Sequence, residues 1–505
     1  MVNGMPTGSP SRRIHSAGQT VAFQSAGLSP TARGVQAAVA NALLWAGLPV
    51  LHASSAAAQQ REPDAFLNQQ RAVDERVAAL QDRQPGTGGG TRLDYGGWYS
   101  LHFLLFDDGV ESSRTIRRHD LRAWARAVLG DGAHEFYFRG RLSLLDYNSG
   151  DAFDGNDDDV DGPNLERGYY RFHLGAAAEA YGRATPGIDA TLTLGRDLVE
   201  FGSGFALSEP LDHVALTLST DRFVLTGLVA QTVGSRPDFD ASRITTRTRR
   251  AFFGAELKWT QFERHEPFAH VLWQRDHHRD EYPSVLQDFD YDSFYVGFGS
   301  TGEIVKGLRY VGEWVYESGR SFGHRRFLGA DVIRAWALDA ELEYLFPGPG
   351  RARASVEYIF ASGDGDRRGS PTDSIGGNRF DHTDNGFVGF GYRDTGLSFA
   401  PRYSNLHMWR AGASAHPWPD DEVLGNLELG ANVFLYYKNH RRGAVSDFTA
   451  DQPSGFLGWE LDGYANWAIT PDVAWTARLG AFFPGDAFSD RTTRTFVITG
   501  MTWSF

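Results

Sequence analysis

The chain has 505 residues, among them 58 Gly, 21 Pro, 4 Met, 13 Trp, 19 Tyr and 35 Phe, and no Cys. The missing cysteines exclude a disulfide scaffold, a Cys-ligated zinc or iron–sulfur site and a Cys nucleophile. With 49 Lys+Arg against 63 Asp+Glu the formal net charge is -14, which argues against a nucleic-acid partner because no surplus of cations is available for phosphates. A hydrophobic fraction of 41% suits a soluble protein, and equally a membrane barrel whose apolar half is hidden in a period of two.

In chain order, the first feature is an address. An apolar stretch follows Arg33 and ends at the small residues Ala56-Ala57-Ala58, the pattern of a secretory signal peptide cleaved after Ala58. Asn41 and Pro49 interrupt the run, which is short of the ~20 residues a spanning helix needs. Residues 1–58 carry Arg12, Arg13 and Arg33 and no acid, so their removal takes the net charge from -14 to -17. Residues 59–113 read as a periplasmic leader. Phe66, Val73, Val77 and Leu80 have roughly helical spacing ahead of a Pro-Gly-Thr-Gly-Gly-Gly linker at 85–90, and a disordered leader fits the same residues.

From about residue 114 the signal is alternation punctuated by Gly, Pro, Asp and Asn. Residues 331–346 are the clearest case: Val332, Trp336, Leu338, Ala340, Leu342 and Tyr344 share one face, and Asp339, Glu341 and Glu343 the other. Such segments fall near 114–128, 134–147, 166–180, 187–199, 211–219, 222–234, 247–260, 267–277, 289–303, 307–319, 331–345, 352–362, 386–392, 405–416, 425–439, 456–468, 473–483 and 494–505. That series predicts an all-β fold, a transmembrane antiparallel β-barrel of about 18 strands over 114–505. Many segments reach the 9–11 residues that a tilted membrane strand needs, where soluble strands cluster near 5–6. Aromatic residues recur at strand ends, as girdles at the two membrane interfaces would use them. The chain stops on an amphipathic strand with Val497, Met501, Trp503 and Phe505 on one face, which resembles the signal read by the barrel-assembly machinery of the bacterial outer membrane. Outer-membrane lipid and that machinery are thus the expected partners.

Face assignment predicts the lumen. Arg118, Arg122 and Arg126, then Arg139 and Arg141, then Arg171 lie opposite apolar residues on three consecutive segments. An arginine on the lipid face near the midplane costs roughly 2–4 kcal/mol, so these side chains belong inside. Farther along, Glu256, Glu313, Glu317, Asp339, Glu341, Glu343, Glu357, Glu428, Glu460 and Asp462 form an acidic wall, with Arg410 and Arg478 interspersed. A ladder of guanidiniums suits an anion path, and neutralisation across the lumen is the competing reading. The Asp-rich loop 151–162 offers Asp154, Asn156 and Asp158 as calcium ligands, although it departs from the EF-hand pattern at Asp159 and Leu165; no other cofactor is required. The loop 363–384 either folds into the pore as a gate or faces outward. His277 and His278 are adjacent, so on a strand they point to opposite faces and make a poor metal pair, and neither a nucleophile elbow nor a phosphate loop is present.

Three stretches carry a family resemblance: Gly195-Arg-Asp-Leu-Val-Glu-Phe-Gly-Ser-Gly204, Glu357-Tyr-Ile-Phe-Ala-Ser-Gly-Asp364 and Tyr403-Ser-Asn-Leu-His-Met-Trp-Arg-Ala-Gly-Ala-Ser-Ala-His-Pro417. They resemble the alginate-export outer-membrane porin family. The resemblance implies a monomeric eighteen-stranded barrel with an arginine-lined constriction for a polyuronate. It also makes Arg196 the counterpart of a motif arginine, and places Arg122, Arg139, Arg141 and Arg171 on the arginine-bearing strands. The expected function is a non-enzymatic channel for an anionic polysaccharide or related saccharide. A porin for small polar or anionic solutes is one alternative, and a barrel enzyme another.

Overall fold

The computed structural model describes residues 91–109, 113–148, 158–183, 187–234, 239–240, 248–277, 290–322, 330–367, 369–372 and 378–505. The expected signal peptide, leader helix and linker lie outside these residues.

Eighteen strands form one closed antiparallel barrel. They are β1 (Arg92–Asp107), β2 (Arg114–Leu129), β3 (His134–Tyr147), β4 (Asp159–His173), β5 (Asp189–Phe201), β6 (Leu207–Ser219), β7 (Phe223–Thr232), β8 (Arg250–Trp259), β9 (His265–Asp276), β10 (Asp292–Val305), β11 (Leu308–Ser321), β12 (Asp331–Leu345), β13 (Arg353–Ala361), β14 (Leu406–Ala415), β15 (Leu427–Lys438), β16 (Phe456–Thr470), β17 (Val473–Pro484) and β18 (Arg494–Ser504). A seven-residue helix α1 (Leu174–Ala180) links β4 to β5. Each strand pairs with its sequence neighbours, and β1 closes the ring on β18 with Trp98 opposite Ser504 and Asp107 opposite Thr495. Closure leaves no edge to be satisfied in lipid. It extends to the last residue: Gly97 and Phe505 exchange two backbone hydrogen bonds of 3.0 Å. Gly97 is required there, since a Cβ would sit 2.7 Å from the Phe505 ring and 2.5 Å from the Arg122 carbonyl.

Alternation sorts the side chains. Leu121, Phe138, Val332, Leu342, Val433, Leu461 and Leu479 are exposed on the outer face, whereas Arg122, Asp339, Phe434, Glu460 and Asp462 are buried on the inner one. Adjacent aromatics divide the same way: Phe253, Tyr437 and Trp336 face out, and Phe252, Tyr436, Tyr295 and Phe482 face in. Connections at one end are short, as at 306–307 and 471–472, and at the other end long, as at 362–405 and 439–455. Short turns mark the periplasmic side and long loops the exterior.

Three expectations need correction. Arg92–Asp107, assigned to the leader, is β1; its inward Leu104 and Phe106 pack against Leu397, Phe496 and Ile498, so the exterior end of the strand is apolar on both faces and the period of two is masked there. The segment 386–392 is no wall strand but part of a loop inside the barrel. The segment 166–180 ends as strand at His173, where the small-residue run Leu174–Ala180 turns helical. The first two errors cancel in the strand count.

Candidate functional site

Two connections at the exterior end turn inward. The ladder between β4 and β5 stops at Gly168 opposite Arg196, and that between β6 and β7 at Leu211 opposite Thr232, while β5 and β6 stay paired up to Phe201 opposite Leu207. The upper part of the β5–β6 hairpin therefore leaves the wall and leans into the lumen, where Phe201, Phe205, Ala206 and Leu207 are fully buried. The long β13–β14 connection, 362–405, meets it. Phe390 donates its N–H to Ala206, Ser208 to Phe390, both at 3.0 Å, and Tyr392 to Gly204 at 3.1 Å. At this crossing a Cβ on residue 391 would lie 2.0 Å from the Phe205 carbonyl, so Gly391 is what lets the two backbones touch. Phe387, Val388, Phe390, Phe399 and Tyr403 of the loop then build one apolar cluster with Phe252, Leu272, Tyr295, Ile333, Tyr436 and Phe482 of the wall. Part of the outer lumen is thus a packed core.

A loop inside a barrel carries backbone N–H groups that need partners. The acidic wall supplies many of them. Glu256 accepts from Gly202 N at 2.5 Å, and Glu313 from Ser203 N at 2.7 Å and from His270 at 2.9 Å. Glu317 accepts from Val388 N at 2.9 Å and from the hydroxyls of Tyr295 and Tyr291. Glu460 accepts from the N–H groups of Leu397, Ser398 and Phe399 at 2.6, 2.5 and 2.9 Å, and Asp462 from Leu397 at 3.1 Å. Arg393, on the loop itself, donates to Asp339 at 2.7 Å and lies 3.9 Å from Glu357, which also meets Arg410 at 2.9 Å. Burial works against the Arg393 charge, but Asp339 and Glu357 outweigh it and raise its pKa above the ordinary value. Nearer the periplasmic end, Glu341 pairs with Arg410 at 3.0 Å, and Arg353 lies 2.8 Å from Glu428 and 3.7 Å from Glu343. The acidic wall is mostly spent on clamping the inward loops.

The inner face of β2 to β5 is different. Arg118 lies 2.9 Å from Asp120; Arg122 and Arg139 converge on Glu166 at 3.1 and 2.7 Å; Arg141 meets Asp161 at 2.8 Å. Arg126 meets Glu135 at 3.0 Å, Arg171 lies 3.8 Å from Glu135 and 3.9 Å from Asp197, and Arg167 lies 3.5 Å from Asp197. Trp98 of β1 lies beside both Arg122 and Arg139, 5.7 and 5.5 Å from its ring, a cation–π pairing. Seven guanidiniums (118, 122, 126, 139, 141, 167, 171) thus stand among five carboxylates (120, 135, 161, 166, 197), a surplus of two positive charges. Neutralisation is local, along one wall, rather than across the lumen.

Six of the seven expected arginines lie on this inward face, and Arg196 does not. It shares its parity with the exposed Leu194, and its partner Asp212 shares that of the exposed Val214. Arg196 binds Asp212 through two contacts of 2.6 and 2.9 Å and donates to the Leu165 carbonyl at 2.9 Å. It bridges the point where β5 parts from β4, a positioning task that a motif cannot distinguish from pore lining. Arg393 and Arg167 are not among the expected residues; Arg393 lies just past 386–392, the segment read as a wall strand. Asp154 and Asn156 lie outside the described residues; Asp158 is exposed and accepts from Tyr147 N at 3.2 Å. Among the described residues no group of three or more His, Asp or Glu side chains suits a metal.

Residues 213–498, more than half the chain, match the family described as alginate export. No curated protein matches the chain in sequence. Similar solved structures are those of Pseudomonas aeruginosa OccK5 (OpdH), 10% identical, covering 82% of this chain and 98% of that one with a TM-score of 0.51, and OccK8 (OprE), 10% identical over 83% and 99% with a TM-score of 0.49. At such identity the likeness concerns the barrel fold alone. Family and fold are those of outer-membrane channels rather than enzymes. The matched segment runs from β6 to β18 and includes both the acidic clamp and the loop it holds, and the chain belongs to the alginate-export family of bacterial outer-membrane β-barrels.

Proposed function

We propose that this channel conducts an anionic saccharide along the guanidinium-bearing wall of β2 to β5, working as a monomer set in outer-membrane lipid. The observation that carries the reading is the division of labour between the two walls. Most carboxylates of β8 to β16 are engaged by loop N–H groups and by Arg393 and Arg410, and Glu343 and Glu428 share Arg353, so the surplus of positive charge open to a solute is that of β2 to β5. There Arg126 and Arg171 keep 40% and 30% of their side-chain surface. Guanidiniums already sharing a carboxylate hold a passing carboxylate weakly, which favours release as well as entry.

A second reading, passage of small polar or anionic solutes, is favoured by the packed loops that fill part of the outer lumen. Planar-bilayer recording of the refolded chain separates the two. Anion-selective current blocked by a polyuronate supports the saccharide channel; current indifferent to the polymer supports the small-solute porin.

A further inference from the structure

Within the guanidinium wall, one inward residue on each of three neighbouring strands is aromatic. Trp124 of β2 sits between Arg122 and Arg126 in the inward series, Tyr137 of β3 lies opposite Arg126, and Tyr169 of β4 lies opposite Tyr137. All three are half-buried. Their rings run nearly parallel: Trp124 and Tyr137 are 6.3 Å apart at 16°, Tyr137 and Tyr169 are 5.3 Å apart at 18°, and the Arg171 guanidinium lies 4.6 Å from the Tyr169 ring centre. Planar groups in contact are separated by about 3.5 Å, so rings with centres 5.3 Å apart are slipped sideways by roughly 4 Å. Each ring therefore leaves part of its face uncovered, like the tread of a stair. The Tyr169 hydroxyl donates to Glu135 at 3.0 Å, and Glu135 also accepts from Arg126, which ties the tread to the charged row. The stair lies toward the short-turn end, five residues before Leu129 closes β2.

Aromatic faces are of little use to a hydrated inorganic anion or a flexible carboxylate chain. They suit a ligand that is flat and apolar on one side and polar at its rim, which is the surface of a pyranose ring. We propose that Trp124, Tyr137 and Tyr169 form a stacking stair for pyranose rings near the periplasmic mouth, with Arg126 and Arg171 at its two ends taking carboxylates carried by those rings. The proposal deepens the saccharide reading above and rests on it. Several weak, equivalent positions along one wall let a chain advance without being trapped.

The test is single-channel recording of the mature chain with three probes of equal length added on the periplasmic side: a neutral glucose hexamer, a uronic acid hexamer and hexaglutamate. The stair predicts resolved blocks by both sugars in the wild type, longer for the uronate, and much shorter ones by hexaglutamate. Replacing both tyrosines, Tyr137→Leu with Tyr169→Leu, should shorten the sugar blocks about tenfold, the loss of a ring contact or two, while Tyr137→Phe with Tyr169→Phe retains them. Hexaglutamate blocking as long as the uronate in the wild type, or sugar blocks of unchanged length in the Leu variant, overturns the stair and leaves the anion path standing. If neither sugar blocks the wild type, the saccharide reading falls with it. The wild-type comparison needs no variant, so it decides even if the Leu variant does not fold.

Discussion

Glu460 is where the clamp on the inward loop is most concentrated. Its carboxylate is fully buried and takes the N–H groups of Leu397, Ser398 and Phe399 within 2.9 Å. In Glu460→Ala, Asp462 still accepts from Leu397 at 3.1 Å, so two buried N–H groups lose their acceptor. At about 1–3 kcal/mol for each, and with water entering the vacated space, the local cost is about 2–4 kcal/mol. At 1.4 kcal/mol per factor of ten, the docked-to-undocked ratio of the segment around Leu397 falls by roughly 30- to 1000-fold. The anchors at Glu317 and Asp339 keep the rest of the loop in place, so the effect is frequent local release rather than loss of the plug. In planar bilayers Glu460→Ala should show noisier open-channel current and a larger mean conductance. Glu460→Gln, which keeps one carbonyl acceptor, should lie between it and the wild type. Wild-type conductance and noise in the Ala variant would refute the view that this carboxylate holds the loop.

Other expectations follow from the same geometry. Arg393→Gln leaves Asp339 and Glu357 short of a cation, a loss of about 3–5 kcal/mol for a buried pair, so the melting temperature should fall and the reversal potential move toward cations. Arg139→Ala alone leaves Arg122 on Glu166 and should shift selectivity slightly, whereas Arg122→Ala with Arg139→Ala frees Glu166 and should shift it strongly toward cations. Val433→Arg, on the exposed outer face of β15, should reduce folding stability in vesicles by roughly 2–4 kcal/mol, and Asn432→Arg, on the inner face, by much less. If residues 151–162 hold calcium, EDTA lowers the melting temperature; superimposed curves remove that assignment.

Alternation made the barrel legible because nearly every wall strand has lipid on one side and a polar lumen on the other. It failed where that contrast vanishes. The exterior end of β1 is apolar on both faces because Leu104 and Phe106 meet Leu397 inside the barrel, and Phe387, Val388 and Phe390 imitate a wall strand because they face an apolar inner wall. The charges divide similarly. Arg126 and Glu135 flank a four-residue turn on paired strands, so their contact is readable from register alone. Glu166 reaches Arg122 two strands away beside the bulges between Arg139 and Ser143, and no local pattern reveals that. The acidic face was visible as a face, but its use as an acceptor for N–H groups depends on a loop whose course is set by non-local contacts. Arg196 shows the converse: a motif identified the residue and not the side of the wall it occupies.

The most direct test of the channel as described here is the reversal potential and polymer block of the refolded mature chain in a planar bilayer under a salt gradient. A wall with surplus guanidiniums facing clamped carboxylates predicts anion-selective current that a polyuronate blocks and an uncharged, ring-free polymer of the same size does not. Cation-selective current, or current unaffected by polyuronate, would contradict it.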